Sequence, residues 1–449
     1  MKRKKIDRRQ FLRIGTMGIG AGALATMNPL HAYQGTFTPH EEDSVPIDDV
    51  PLPQKKVIFI FLEGGNDGTN TVPPEGDATY YAQRTTPVDI SIPVGTGISM
   101  GAGLVCRLHP SMSALTPMLN NDLAVIQRVG YYQSSRSHFD AQQHWKTAKP
   151  VNPITEGFGA RYLNEIAALT DPLPGATFYR APHQILATDT RAFPQIENVV
   201  TYEYDNQAIL GTLPSNPDPN GSGLLGVFSG APNTLVRRDG LVLLQSMDII
   251  QNALPAVYPP ANLSSLFPSG TFARNCMDAA WAMVNTNANA AVVADGGYDL
   301  HQNQGGATGV HANKLDTLAQ IIRGIRDYAT NNAKWNDLLV VVMTEFGRTD
   351  VNASGGTDHG KAGVMFVAGG TVVGDAYNCD NATYFNGGAS PLESDGAMDH
   401  RTDFRTVLAE VFDRHLGMSV NQLDTIIPGW SGLSPSPGHP DELTYLGIL

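Results

Sequence analysis

Two kinds of apolar pattern take turns along this chain. Continuous apolar runs occur at 55–62 (KKVIFIFL), 123–126 (LAVI), 290–293 (AAVV), 338–343 (LLVVVM) and 364–367 (VMFV). Strands buried on both faces read this way, and such strands build parallel sheets. Between the runs lie helical periodicities. Met112, Leu115 and Leu119 share a spacing, 235–253 and 272–286 read as helices, and 315–328 places Leu315, Leu318, Ile321, Ile322 and Ile325 on one face. A helix is expected from Ser135 or Ser137, either of which can cap it, to Lys146. Another is expected over 401–416, with Val407, Leu408, Val411 and Phe412 inward. Strands alternating with helices predict an α/β fold around a doubly wound, mostly parallel sheet. Residues 55–449 read as one domain, 33–54 as a polar linker, and 213–224 as a turn-rich loop.

In such sheets, ligands sit beyond the carboxyl ends of the strands. Polar residues just after the apolar runs are therefore the candidates. The first run leads into Gly64-Gly65-Asn66-Asp67, and the 290–293 run leads towards Asp299-Leu300-His301. LLVVVM is followed by Thr344-Glu345-Phe346-Gly347-Arg348, and a Gly-rich loop then carries Asp358-His359. Ser137 and His138 open a helix. Carboxylates mixed with imidazoles are a ligand set for zinc, manganese or iron and not for calcium. One or two divalent ions, zinc or manganese, are expected beside a serine at a helix N-terminus, a combination suited to phosphoryl or sulfuryl transfer. Arg348 can hold the transferred group.

Each residue also has a structural reading. Asp67 can be a turn-former, Ser137 a helix cap, and His138 a stacking group. Asp299 and His301 would share a face by strand alternation. Glu345 is either a metal ligand or the buried partner of Arg348. His144 and His311 read as surface residues, and His400, His415 and His439 carry no usable pattern. No nucleotide-binding glycine fingerprint follows a strand.

The N-terminus changes the setting. Arg8-Arg9, followed by Phe11-Leu12 and a small-residue apolar stretch to Met27, reads as a twin-arginine signal with cleavage after Ala32. That implies passage through the twin-arginine translocase to the periplasm or beyond. The stretch is too short and Gly-rich to span a membrane, and no later run is long enough. Residues 1–32 carry seven Lys or Arg and one Asp, so their removal takes the formal charge from −13 to −19. So acidic a chain is unsuited to nucleic acid. Cys106, Cys276 and Cys379 allow one bridge at most, far from a disulfide scaffold.

The segments FLEGGNDGTNTVPP, RSHFDAQQHW, GGYDLHQNQ, TEFGRT, GGTDHGKAGVMFVAGG and DHRTDFRTVLAEVF, with EGFGARYL near 156–163, resemble the bacterial DUF1501 family of exported proteins. That family is placed in the alkaline phosphatase and sulfatase superfamily. The resemblance implies an alkaline-phosphatase-like three-layer α/β/α sandwich and a metal-dependent hydrolase of phosphate or sulfate esters. It puts Asp67, Ser137 and Glu345 on one metal, and Asp299, His301 and His359 on another, while Asp358 remains a candidate ligand from its own Gly-rich loop. Ser137 would be the nucleophile and Arg348 would orient the ester or brace Glu345. Two departures stand against the transfer: Glu345-Phe346 replaces the usual Asp-His, and Asp299 and His301 are two residues apart instead of one helical turn. The alternative is an envelope protein that keeps the fold without the chemistry.

Overall fold

A computed structural model describes residues 54–203 and 235–449. The twin-arginine segment, all but the last residue of the 33–54 linker, and the 213–224 loop lie outside the described residues.

The strands are β1 Lys56–Leu62, β2 Leu123–Gly130, β3 Gly175–Thr177, β4 Ala290–Asp295, β5 Leu338–Thr344, β6 Arg348–Val351, β7 Thr357–His359, β8 Gly363–Gly369, β9 Ala376–Tyr377 and β10 Thr402–Asp403. Eight of them form one sheet in the order β10-β2-β8-β5-β1-β4-β3, with β9 on β2. Strands β5, β1, β4 and β3 pair in parallel. Strand β8 runs antiparallel to both neighbours, β2 and β5. The sheet is thus mostly parallel, with one reversed strand. A run such as GVMFVAG is buried on both faces in either direction, so its composition does not reveal the reversal.

The helices used below are α1 Gly68–Thr71, α2 His138–Thr147, α3 Phe158–Ile166, α4 Leu235–Ala253, α5 Thr271–Asn285, α6 Val310–Asn331 and α7 Phe404–Glu410. Alternate side chains of each strand enter opposite cores. Ile58, Ile60, Val340 and Val342 face α5, α6 and the 3-10 turn Pro110–Met118. Val57, Phe59, Phe61, Val341 and Met343 face α3, α7 and Trp145 of α2. The result is a three-layer α/β/α sandwich. The helix expected over 401–416 is split: α7 ends at Glu410 and a wider turn follows over Val411–His415.

All three thiols are free and buried. Cys106 and Cys379 lie side by side, where the Cys106 N–H donates to the Cys379 carbonyl at 3.3 Å. Burial pushes the Cys106 thiol well up. Among the described residues, no helix is long and apolar enough to cross a membrane.

Candidate metal centre

The site begins where β1 ends. Gly64 and Gly65 adopt φ of +112° and +79°. A Cβ on Gly64 would sit 2.5 Å from the Asp299 nitrogen, and one on Gly65 would sit 2.3 Å from the Phe346 ring. Only glycine permits both the backbone turn and this approach. The turn brings the Gly64 N–H to Glu345 Oε1 at 2.8 Å.

Glu345 follows β5 directly and is fully buried. Its Oε1 also accepts from His138 Nδ1 at 2.9 Å and Gln142 Nε2 at 3.2 Å. Spacings of four bring His138, Gln142 and Lys146 to one face of α2. The same face thus meets Glu345 and then Glu63, which Lys146 contacts at 3.2 Å. Arg348 does not pair with Glu345. Its guanidinium is sealed from solvent and donates to Asp299 Oδ1 at 2.9 Å, the Gly64 carbonyl at 3.2 Å and Thr357. The brace expected on Glu345 is thus directed to Asp299 instead.

The antiparallel ribbon of β6 and β7 pairs Arg348 with His359. This ladder carries His359 to Asp299. Three contacts converge there: Asp299 Oδ1 lies 2.8 Å from His301 Nε2 and 3.1 Å from His359 Nε2, and Asp299 Oδ2 lies 3.3 Å from His138 Nε2. His301 and His359 Nε2 are 3.1 Å apart. Asp358 Oδ1 stands 3.8 Å from His301 Nδ1. His138, Asp299 and His359, and likewise His301, Asp358 and His359, offer atoms within 4.8 Å of one another. Asp299 and His301 meet because the chain bends after β4 ends at Asp295, not by the expected strand alternation.

The orientation of each imidazole is set from behind. His359 Nδ1 faces the Arg136 carbonyl at 2.8 Å, so Nε2 is the nitrogen turned to the cluster. His138 Nδ1 is held by Glu345, which turns Nε2 to Asp299. The Phe346 ring stacks on His359 at 4.9 Å and lies 5.1 Å from His138. His138 Nε2 and Glu345 Oε2 are buried and have no hydrogen-bond partner. The hydrogen bond His138 donates to Glu345, opposed by burial and aided by Asp299, raises the His138 pKa. Burial pushes Asp299 up, but Arg348, His301 and His138 outweigh it and hold the carboxyl below its usual range. Three imidazoles and two carboxylates fit a borderline divalent cation, and an unpartnered buried nitrogen facing a carboxylate is where one belongs.

Asp67 reaches the same rim but not this cluster. Its carboxylate binds Arg84 at 2.5 Å and 3.2 Å, Gln304 at 2.6 Å and the Asn70 N–H at 3.1 Å. Burial pushes its pKa up, but Arg84, His311 and Gln304 reverse this and bring it to about 2. Ser137 occupies the cap position of α2 without a side-chain capping bond. His311 is buried, not on the surface, and burial lowers its pKa to about 3. The residues missed from sequence are Gln142 and Arg84. The i, i+4 spacing from His138 to Gln142 was the available signal for the first, whereas nothing near Arg84 marked it.

No curated protein sequence matches the chain. Several solved structures resemble it distantly. The phosphonate monoester hydrolase of Agrobacterium radiobacter is 12% identical, with TM-score 0.29, covering 80% of this chain and 73% of that one. The alkaline phosphatase of the Antarctic bacterium TAB5 is 12% identical, with TM-score 0.26, covering 71% and 92%. Ps i-CgsB, solved with k-i-k-neocarrahexaose, is 11% identical, with TM-score 0.30, covering 72% and 68%. Overlaps this low transfer nothing about activity. Residues 252–380, which include Asp299, His301, Glu345, Arg348, Asp358 and His359, match the model of DUF1501, a family of proteins of unknown function.

Proposed function

We propose that this chain is an exported, metal-dependent hydrolase of phosphate or sulfate esters. The observation that carries the reading is the convergence of His138, His301 and His359 on Asp299, with Asp358 at the edge. These residues would hold one or two divalent ions of the zinc or manganese class. Bound there, the metal would polarise the ester and favour the ionised nucleophile. Ser137 supports the nucleophile role, because its side chain makes no capping bond and it stands at the N-terminus of the ten-residue helix α2. Its Oγ attacks phosphorus or sulfur and expels the alcohol; water then releases the anion and restores the hydroxyl. Glu345 positions His138, and Arg348 keeps Asp299 ionised and pointed at the imidazoles. Asp67 serves as a buried anchor beside the site and not as a ligand. The twin-arginine pattern of residues 1–32 supports passage of the folded protein through that translocase to the periplasm or outside. Residues 55–449 act as one domain in this reading.

The test is elemental analysis of the purified chain together with turnover of p-nitrophenyl phosphate and p-nitrophenyl sulfate. Bound transition metal and hydrolysis lost in Ser137→Ala are expected. Protein that is folded and metal-free after purification and dialysis against zinc or manganese sinks the proposal. A second reading, an envelope protein with the fold alone, is favoured by the sealing of both Asp67 and Arg348 away from any ligand. Metal without turnover of either ester points to it.

A further inference from the structure

A second cluster of potential ligands lies outside the Asp299 centre and shares no residue with it. Asp399, His400 and His439 present Oδ1, Nδ1 and Nε2 within 4.8 Å of one another. Asp399 Oδ1 is 3.7 Å from His400 Nδ1 and 3.8 Å from His439 Nε2. Both gaps exceed hydrogen-bonding distance. Three candidate ligand atoms thus lie close together, with neither imidazole nitrogen within hydrogen-bonding distance of Asp399 Oδ1.

The other polar atoms of His400 and Asp399 are committed behind it. His400 is 5% exposed, and its Nε2 meets Glu442 Oε2 at 2.6 Å. Glu442 is 2% exposed, and its Oε1 accepts the Ser436 N–H at 2.5 Å. A carboxylate on the far nitrogen is the arrangement that fixes a metal-binding histidine, leaving Nδ1 as the ligand. Asp399 divides its oxygens similarly. Oδ2 takes the Asn386 amide at 3.4 Å and lies 3.8 Å from Arg128 Nη2, while Oδ1 faces the imidazoles. Arg128 is aimed there by the irregularity in β2 between Ile126 and Val129, where it takes φ +61°. It also ties down the Asp399 carbonyl at 3.1 Å and Asn386 at 2.8 Å. The rings of His400 and His439 stack at 4.0 Å and 22°, so the imidazoles are parallel neighbours that repel if both are protonated.

We propose that Asp399, His400 and His439 form a separate structural site for a divalent cation of the zinc class, with Glu442 as the positioning residue. Bonds of roughly 2.0–2.1 Å in a tetrahedral ion place its ligand atoms roughly 3.3 Å apart. The two gaps from Asp399 to the imidazoles need to close by about half an ångström each, and the stacked rings must splay so that both nitrogens aim at one ion. Two imidazoles and one carboxylate favour zinc over calcium or magnesium. Asp399 and His400 precede β10, whereas His439 belongs to the C-terminal segment. The ion therefore clips that segment to the sheet beside Tyr132, whose ring lies 6.1 Å from that of His439.

The test uses the full chain carrying His301→Ala and His359→Ala, which disable the Asp299 centre. After dialysis against zinc and gel filtration, about one equivalent is expected to remain. Adding His439→Ala or His439→Gln, both at a partly exposed side chain, is expected to remove it, with the circular dichroism unchanged. In the same background, Glu442→Gln is expected to weaken zinc binding roughly 10- to 100-fold. Cobalt loading is expected to give a visible d–d absorption that His439→Ala abolishes. Retention of the equivalent in both His439 variants overturns the proposal, as does its absence from folded His301→Ala/His359→Ala protein. Neither result bears on the hydrolase reading, which is scored by ester hydrolysis in the wild type and by the metal lost between the wild type and the His301→Ala/His359→Ala protein.

Discussion

Asp67→Asn separates an anchor from a ligand. The wild-type carboxylate is buried, with Arg84 beside it and both side chains 1% exposed. Its pKa falls from 3.8 to about 2. At about 1.4 kcal/mol per unit, that shift corresponds to roughly 2 kcal/mol of stability. The folded pKa is the lower one, so this contribution is present in full above pH ~4 and is lost as pH falls towards ~2. Asparagine keeps an oxygen for the Asn70 N–H but leaves Arg84 buried without a counter-charge, which costs about 3–5 kcal/mol. The variant is therefore expected to lose more at neutral pH than the titration alone would give. Replacing Arg84 with methionine in the same chain should recover much of the loss, because removing both charges is far less harmful than removing one.

Guanidinium denaturation followed by tryptophan fluorescence, at pH 7 and at steps between pH 4.5 and 2, measures both quantities. The expected pattern is a stability loss of about 3 kcal/mol or more at pH 7, a weaker acid dependence below pH 4, and unchanged metal content at the Asp299 centre. A loss under about 0.5 kcal/mol, or metal lost from an otherwise stable protein, refutes the anchor assignment and returns Asp67 to the ligands.

Three further substitutions probe the centre. Gly65→Ala forces a Cβ towards the Phe346 ring at a φ of +79°; a stability loss of about 1–3 kcal/mol by denaturation and weaker metal binding by calorimetry are expected, because Phe346 packs on His138 and His359. Glu345→Gln removes the charge behind His138 and is expected to weaken metal binding roughly 10- to 100-fold in a competition titration. Ser137→Ala is expected to shift stability by less than about 0.5 kcal/mol while abolishing hydrolysis, since the hydroxyl makes no capping bond whose loss would cost about 1 kcal/mol.

How much of this was legible in the sequence follows from what each pattern encodes. The central strands were legible because burial on both faces leaves an uninterrupted apolar run, as in LLVVVM. The short strands β3, β9 and β10 have two or three residues each and no such run. Asp299 and Glu345 were found by looking beyond strand ends, where the sheet leaves polar groups at a rim. The same rule also selected Asp67, and there it could not separate two fates. A buried carboxylate needs a positive partner, and the partner's identity decides its role. Arg84 supplies a permanent charge and two donors to Asp67, and Gln304 and the Asn70 N–H donate to the same two oxygens. Asp299 has an arginine too, but Arg348 takes only one oxygen, and that oxygen is shared with two imidazoles. An imidazole can exchange its proton for a metal, whereas a guanidinium cannot. The contrast reaches Asp399, where Arg128 stands by Oδ2 and histidines face Oδ1. His400 and His439 lie too far apart in sequence for any spacing to join them, and only the C-terminal segment's return to the start of β10 does so. What distinguishes a ligand from an ion pair in this chain is therefore the type of cation on each carboxylate oxygen, and that is a property of the folded rim.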